Sequence, residues 1–157
     1  DDGTAESVQR RYAERNQVQG RESLVIYGEG VNNARVENAT TQTEAGGYLE
    51  FDLIMNVSRG VKCELAHMNI ADKGEVVHAQ IMLDSLERTY TVGESKYHIK
   101  IGPLYLSRGQ FMINLTLNSH GGKKTVLHMR RIVEFHFNGP VSLGPTYYPP
   151  AQIELIK

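Results

Sequence analysis

Residues 47–57 have the sequence GYLEFDLIMNV, in which apolar and mostly polar side chains alternate. One side of this pattern contains Leu49, Phe51, Leu53, Met55 and Val57, and the other contains Tyr48, Glu50, Asp52, Ile54 and Asn56. Successive side chains of a β-strand point to opposite faces of a sheet, so this period of two predicts a strand. We expect one face of that strand in the core and the other largely in water.

Strand signals recur in eight further segments, at residues 24–27, 31–38, 61–71, 76–83, 96–101, 110–118, 125–137 and 153–156. Turn-forming residues lie between them, for example at 58–60, 72–74, 92–94 and 120–122. Many short strands with turns at near-regular spacing, and no long helical stripe, are typical of a sandwich or a barrel. The sequence therefore predicts an all-β, antiparallel fold of about eight to nine strands.

The chain has 157 residues, a length that suits one domain with its own hydrophobic core. Residues 1–22 are more polar than the rest, and we expect them to form a linker before a β-sandwich domain at residues 23–157. Val8 and Tyr12 lie one helical turn apart, so the linker could contain a short helix over residues 4–15.

Charge and hydropathy exclude two classes of partner. The 17 basic and 18 acidic residues are mixed along the chain, and basic clusters such as Lys123-Lys124 and Arg130-Arg131 are only pairs. A nucleic-acid-binding protein concentrates positive charge on one face, so we expect no nucleic acid.

No apolar run approaches the ~20 residues that a membrane span needs, and no signal peptide is visible. We therefore expect an intracellular fragment of a longer protein.

Cysteine and histidine give no signal for a metal site. Cys63 is the single cysteine, which excludes an internal disulfide, and its apolar neighbours predict a small buried side chain. The six histidines are His67, His78, His98, His120, His128 and His136. No two of them have the His-x-x-x-His or His-x-His spacing of metal ligands, so solvated or hydrogen-bonded histidines are expected, with no metal and no cofactor.

Catalytic signatures are also missing from the sequence. It contains no Gly-x-Ser-x-Gly elbow and no glycine-rich phosphate loop followed by a helix. Glu50 and Asp52 share a strand face, as the paired carboxylates of a glycosidase could, but any strand surface offers such pairs. We expect no catalytic residue and no enzyme activity in this chain.

A hairpin around residues 120–123 provides the candidate binding site. Apolar residues alternate on both sides of it, at Phe111, Ile113, Leu115 and Leu117 and then at Leu127, Met129, Val133, Phe135 and Phe137, with Arg131 as an interruption. If these face the core, the opposite face gathers Asn114, Thr116, Asn118, His128 and Arg130. Such amide, hydroxyl, imidazole and guanidinium groups suit sugar hydroxyls, and they equally suit an ordinary solvated sheet face.

Four passages resemble a known family. They are SLVIYGEG at residues 23–30, IADKGEVV at 70–77, GPLYLSRGQF at 102–111, and FHF at 135–137 followed by Gly139-Pro140 and Gly144-Pro145. In their order and spacing they resemble the C-terminal domain of Wzt-type ATP-binding subunits of ABC transporters that export O-antigen polysaccharide. Members of that family often carry a tryptophan near the tail, where this chain has Tyr147-Tyr148-Pro149-Pro150 and no tryptophan.

The resemblance implies an immunoglobulin-like or jelly-roll-type β-sandwich that binds carbohydrate without catalysis. Its ligand would be the undecaprenyl-linked O-antigen, recognised at its modified non-reducing end, in the cytoplasm at the inner face of the bacterial inner membrane. ATP hydrolysis would belong to a separate N-terminal domain, which makes residues 1–22 an interdomain linker, and the transporter's transmembrane subunit would be a partner. With this resemblance, the polar face that parity predicts for the hairpin becomes the candidate glycan site: Asn114, Thr116, Asn118, His128 and Arg130, with His67 and Asn69 added from segment 61–71, where the parity is ambiguous.

The carboxyl-terminal tail predicts assembly. Pro149-Pro150 stiffens an extended arm, and residues 151–156 read as a last strand that could pair with its own sheet or with that of a second copy. We expect a homodimer formed by strand exchange. Two other functions stay open: a structural or protein-interaction sandwich with an exposed apolar patch, and a carbohydrate-active enzyme with two converging acids.

Overall fold

The computed structural model describes residues 24–28, 30–139 and 149–156. Their strands are β1 (Leu24–Gly28), β2 (Val31–Glu37), β3 (Gln42–Glu44), β4 (Leu49–Val57), β5 (Val61–Lys62), β6 (Leu65–Asp72), β7 (Val77–Met82), β8 (Thr89–Tyr90), β9 (Gly93–Ile101), β10 (Gly109–Ser119), β11 (Lys124–Asn138) and β12 (Ala151–Ile156). One turn of 3₁₀ helix, Asp84–Leu86, precedes β8. The predicted linker and helix of residues 1–22 lie outside the described residues.

Two sheets make up the sandwich. Sheet A has the strand order β1-β11-β10-β6-β7, and β3 pairs in parallel with the end of β11. Sheet B has the order β12-β9-β4-β2, and β5 and β8 form a separate short ladder. Every other described strand pair is antiparallel. The predicted all-β, antiparallel sandwich is therefore confirmed.

The hydrophobic core lies between the two sheets, and the alternation in β4 explains how sheet B contributes to it. Leu49, Phe51, Leu53, Met55 and Val57 are at most 1% exposed and belong to one core cluster. Alternate residues of β6, β10 and β11 complete this cluster from sheet A. The predicted core face of residues 47–57 is confirmed, and its burial removes apolar surface from water. The opposite face is less exposed than predicted, since Asp52 and Ile54 on it are 7% and 2% exposed.

Several boundaries differ from the predicted ones. The strand predicted at 61–71 is broken at Cys63, whose N–H donates to the Arg88 carbonyl at 2.9 Å outside sheet A. The turn predicted at 92–94 is wrong at Gly93, which pairs with Val57 and begins β9. The described residues contain nine strands of five or more residues, as predicted, and three shorter ones. Strands of two or three residues are too short to show a period, so β3, β5 and β8 give no separate signal in the sequence.

A bulge in β11 explains why Arg131 interrupts an apolar set. Ile113 pairs with Val133 and Leu115 pairs with Met129, so residues 130–132 stand opposite Asn114 alone. Arg131 adopts a φ of 56°, which takes its side chain out of the alternation. The bulge adds two residues, an even number, and Met129 and Val133 therefore both remain in the core.

The hairpin predicted at 120–123 joins β10 to β11. His120, Gly121 and Gly122 have positive φ values of 53°, 63° and 83°. A Cβ atom on Gly122 would lie 3.2 Å from Leu65 Cδ2, so glycine suits this position for its conformation and its size. Glu64 accepts a hydrogen bond from the Gly121 N–H at 2.6 Å, which fixes the hairpin beside the start of β6.

Candidate functional site

The outer face of sheet A carries all seven predicted site residues on three neighbouring strands. The seven are His67 and Asn69 in β6, Asn114, Thr116 and Asn118 in β10, and His128 and Arg130 in β11. They alternate with residues of the core cluster, such as Met68, Leu115 and Met129, and none of them belongs to that cluster. We call this set the polar face.

A row of three polar side chains crosses the middle of the polar face. Thr116 is the register partner of both His67 in β6 and His128 in β11. Thr116 Oγ1 lies 3.0 Å from His128 Nδ1, within hydrogen-bonding distance. The His128 Nδ1 atom is thereby engaged inside the protein.

Both polar atoms of the Asn114 side chain form hydrogen bonds within the protein. Its Nδ2 donates to Asn69 Oδ1 at 3.0 Å, and its Oδ1 accepts from the Arg131 N–H at 2.9 Å. The second bond satisfies a backbone donor that the bulge removes from the ladder. Asn114 and Asn69 therefore lie side by side on the polar face, joined by a hydrogen bond.

Arg130 already has an anionic partner. Its guanidinium forms an ion pair with Glu75, a residue of the β6–β7 turn that the sequence pattern did not connect with the hairpin. The two side chains are 32% and 54% exposed, so solvent and ligands can reach both. An acidic ligand group would compete with Glu75 for the guanidinium, and a neutral sugar could hydrogen-bond to either partner.

Two buried polar atoms of the polar face lack a hydrogen-bond partner among the described residues, His67 Nδ1 and Asn118 Oδ1. Burial, together with the neighbouring His128, lowers the pKa of His67 and favours its neutral ring. Both atoms are shielded from solvent, so they shape the local polarity and do not offer a direct ligand contact. A buried polar atom without a hydrogen bond lowers stability, because it has lost its bonds to water.

The outer face of sheet B holds a charge network that the sequence analysis did not anticipate. Asp52 accepts a hydrogen bond from Asn38 Nδ2 at 2.9 Å, and its other oxygen lies 2.8 Å from His98 Nδ1. Lys96 Nζ is 3.3 Å from the same carboxylate. The hydrogen bonds from Asn38 and His98, with help from Lys96, lower the pKa of Asp52 to about 2.

His98 joins Glu50 and Asp52, the two carboxylates that share a face of β4. His98 lies between the two carboxylates, with Nε2 3.5 Å from Glu50 and Nδ1 2.8 Å from Asp52. These side chains compensate one another's charge on the surface of sheet B.

The remaining predicted features concern metals, membranes and the lone cysteine. Within residues 24–28, 30–139 and 149–156, no group of three or more His, Cys, Asp or Glu side chains could hold a metal ion. The same part of the chain contains no helix long and apolar enough to cross a membrane.

Cys63 is 2% exposed, and burial raises the pKa of its thiol, which confirms the predicted buried side chain.

Two antiparallel sheets over one core define this chain as a β-sandwich domain whose larger sheet has a polar outer face. A crystal structure of the C-terminal domain of Wzt has the same fold, with a TM-score of 0.55 over 74% of this chain and 78% of that chain. The two sequences are 12% identical, so the likeness concerns the fold. Searches with protein-family models and among curated proteins find no match. The structural likeness confirms the resemblance at the level of the fold.

Proposed function

We propose that this chain is a non-catalytic carbohydrate-binding domain and that the polar face of sheet A is its glycan site. The observation that carries the proposal is the register of β6, β10 and β11, which aligns His67, Thr116 and His128 in one row. Flat polar sheet faces offer donors and acceptors in fixed directions, as sugar hydroxyls require. Likeness to the fold of the Wzt C-terminal domain supports the same assignment.

The finer proposal is that the glycan is O-antigen polysaccharide, read at its modified non-reducing end for export by an ABC transporter. The four passages that resemble Wzt-type subunits support it, together with the shared fold. In that setting the domain works in the cytoplasm at the inner face of the bacterial inner membrane. The transporter's transmembrane subunit is then a partner, and ATP hydrolysis belongs to a separate domain.

Isothermal titration calorimetry with purified O-polysaccharides tests the glycan site. Arg130→Ala is expected to weaken binding at least about tenfold, because a hydrogen bond to a charged group contributes roughly 1.5–3 kcal/mol. Thr116→Val removes the hydroxyl at the centre of the row with little change in shape, and it should also weaken binding. Circular dichroism should show both variants folded.

The matched control is Glu75→Gln, which removes the partner of Arg130 and leaves the guanidinium in place. We expect it to retain binding, and to bind more tightly if the glycan end is acidic. Wild-type affinity in Arg130→Ala would contradict the assignment of the polar face. A screen in which no glycan binds the wild-type chain would contradict the proposed function as a whole.

We also propose that the domain forms a homodimer by exchange of β12. In the structure β12 lies at the edge of sheet B and pairs with β9 of its own chain, from Ala151 opposite Ile101 to Ile156 opposite Lys96. A second copy can form this same ladder, which makes exchange inexpensive. Light scattering of the chain with and without residues 149–157 tests the idea: a dimer that becomes a monomer supports it, and a monomer in both forms contradicts it.

A protein-binding sandwich is the second candidate, and β7 is the observation in its favour. β7 is the last strand of sheet A, and Val76, Val77 and Met82 beside or within it are 58%, 44% and 47% exposed. Exposed edge strands with apolar side chains invite pairing with another chain. Under this alternative, Val77→Lys abolishes partner binding while Thr116→Val has no effect on it.

A further inference from the structure

A cleft of about 510 Å³ lies at one end of the sandwich, separate from the row at the centre of the polar face. Its walls are the β6–β7 turn at residues 72–76 with His78, and the segment 107–111 that leads into β10. The two walls meet because Asp72 and Phe111 are register partners. They also contain residues 72–76 of the passage IADKGEVV and residues 107–111 of the passage GPLYLSRGQF, which lie outside the polar face. The volume is within the roughly 300–1,000 Å³ range of small-molecule sites.

Asp72 builds one wall of the cleft and has its charge compensated there. Its Oδ1 accepts hydrogen bonds from the N–H groups of Gly74 at 2.8 Å and Val76 at 3.0 Å. Its Oδ2 lies 2.8 Å from His78 Nε2, and this contact is the main reason that the pKa of Asp72 is lowered. Glu75, the other acid of the turn, pairs with Arg130 on the polar face. Neither carboxylate is left to attract a cation into the cleft.

Two cations face the cleft from opposite walls. Lys73 comes from the turn and Arg108 from the segment before β10, and both are exposed. Neither has an acidic partner within ion-pair distance in the part of the chain that the structure describes. A concave surface with uncompensated positive charge attracts anions, and the guanidinium fork suits a carboxylate or a phosphate.

Two apolar side chains also line the cleft. Phe111 lines the cleft and is held by stacking on Phe135 at 5.7 Å and by an edge contact with His78 at 5.3 Å. Val76 lines the same cleft and is 58% exposed. Apolar side chains with a few placed polar groups are what a ligand with one apolar face and one charged group needs.

We infer that this cleft is a second binding site, which takes an acidic saccharide: a sugar ring that carries a carboxylate or a phosphate. Lys73 and Arg108 bind the anionic group, and the exposed Val76 contacts the C–H face of the ring, above Phe111, which is only 5% exposed. The site goes beyond the proposed glycan face and does not depend on it.

An NMR titration of the 157-residue chain tests the inference with glucuronate, glucose 1-phosphate and glucose. Both acids should shift the backbone amide signals of Gly74 and Gly109, whereas glucose at equal concentration should leave them in place. The double variant Lys73→Gln/Arg108→Gln should bind either acid at least about tenfold more weakly, since it removes both charged contacts to the anionic group.

The control is Lys62→Gln/Arg88→Gln, which removes two positive charges beside the β5–β8 ladder, at the other end of sheet A. It should bind both acids as the wild type does. Equal binding of glucose, wild-type affinity in the double cleft variant, or no binding of either acid would overturn the inference. Inorganic phosphate that binds as tightly as glucose 1-phosphate would overturn the sugar specificity. The amide signals of Asn69 and Thr116 report on the polar face, so failure there is seen separately.

Discussion

Asp52 illustrates what one residue contributes to the surface of sheet B. Its carboxylate is 7% exposed and is held by Asn38, His98 and Lys96. Hydrogen bonds to the charged form stabilise that form, which is why the pKa of Asp52 falls to about 2 from the ordinary 3.8. The network therefore stabilises the fold wherever Asp52 is ionised.

The stability of the protein should consequently depend on pH through Asp52. Its pKa is lower in the folded state than in the unfolded state, so its contribution is complete above the unfolded value of 3.8 and is lost as the pH falls towards about 2. Asp52→Asn should lower the free energy of unfolding by about 1–2 kcal/mol at pH 7 and flatten its decline below pH 4. Urea unfolding at pH 7, 4 and 3 measures both effects.

The comparison variant is Glu94→Gln, which removes an exposed carboxylate 3.4 Å from Arg35. Exposed ion pairs contribute little, so this change should cost less than about 0.5 kcal/mol at every pH. Equal effects of the two substitutions would show that the network around Asp52 adds no stability.

Cys63 gives a second prediction for a single side chain. It is 2% exposed, its Sγ donates to the Leu65 carbonyl at 3.4 Å, and burial raises the pKa of the thiol. Because the thiolate is the reactive form, Ellman's reagent should react slowly with the native protein and completely in denaturant. Rapid, stoichiometric reaction of the folded protein would show that the β5–β6 junction opens.

Among the elements, β11 shows what a sequence pattern can and cannot predict. The period of two in 125–137 correctly assigned Met129 and Val133 to the core and His128 and Arg130 to the outer face. It could not predict the bulge, because an insertion of two residues leaves the parity unchanged. The Glu75–Arg130 ion pair was equally invisible, since the β6–β7 turn approaches the hairpin only after the sheet has formed.

The bulge makes a prediction about β11. A positive φ is unfavourable for Arg131 and acceptable for glycine, so Arg131→Gly should raise the free energy of unfolding by up to about 1 kcal/mol. Asn114→Ala removes the acceptor for the Arg131 N–H and should lower it by about 1–3 kcal/mol. Chemical denaturation measures both, and the same sign for the two variants would contradict this description of the bulge.

For the whole molecule, the sequence pattern predicts which side of a sheet a residue faces, but it does not predict which strand lies next to it. The nine long strands and the single core follow from alternation and turn chemistry, whereas the order of strands within the sheets does not. Asp52 and His98 are 46 residues apart and meet only because β4 and β9 are neighbours in sheet B. The outer face of sheet A was predictable by parity, and the cleft beside it, built by two connections, was not.

Closure of sheet B by β12 gives the prediction at this scale. Deletion of residues 151–157 exposes β9 as the edge of sheet B. This strand contains the core residues Ile99 and Ile101. Because an uncovered edge loses packing and invites aggregation, the melting temperature should fall by about 5 °C or more. Gln152→Ala, an exposed position in the same strand, should leave it nearly unchanged. Differential scanning calorimetry compares the two, and an unaltered transition after the deletion would show that β12 is not integral to the sheet.

The central place of β10 in sheet A has a consequence for exchange with deuterated water. β6 and β11 pair with β10 on either side along most of its length, so its amide groups are hydrogen-bonded to both neighbours. Their protons exchange when the molecule opens globally, and those of the edge strand β7 exchange through smaller local openings. The proposed glycan site over Thr116 therefore lies on a strand that we expect to exchange slowly. Glycan binding should protect β10 by an amount that follows ligand concentration, because the ligand stabilises the folded state as a whole.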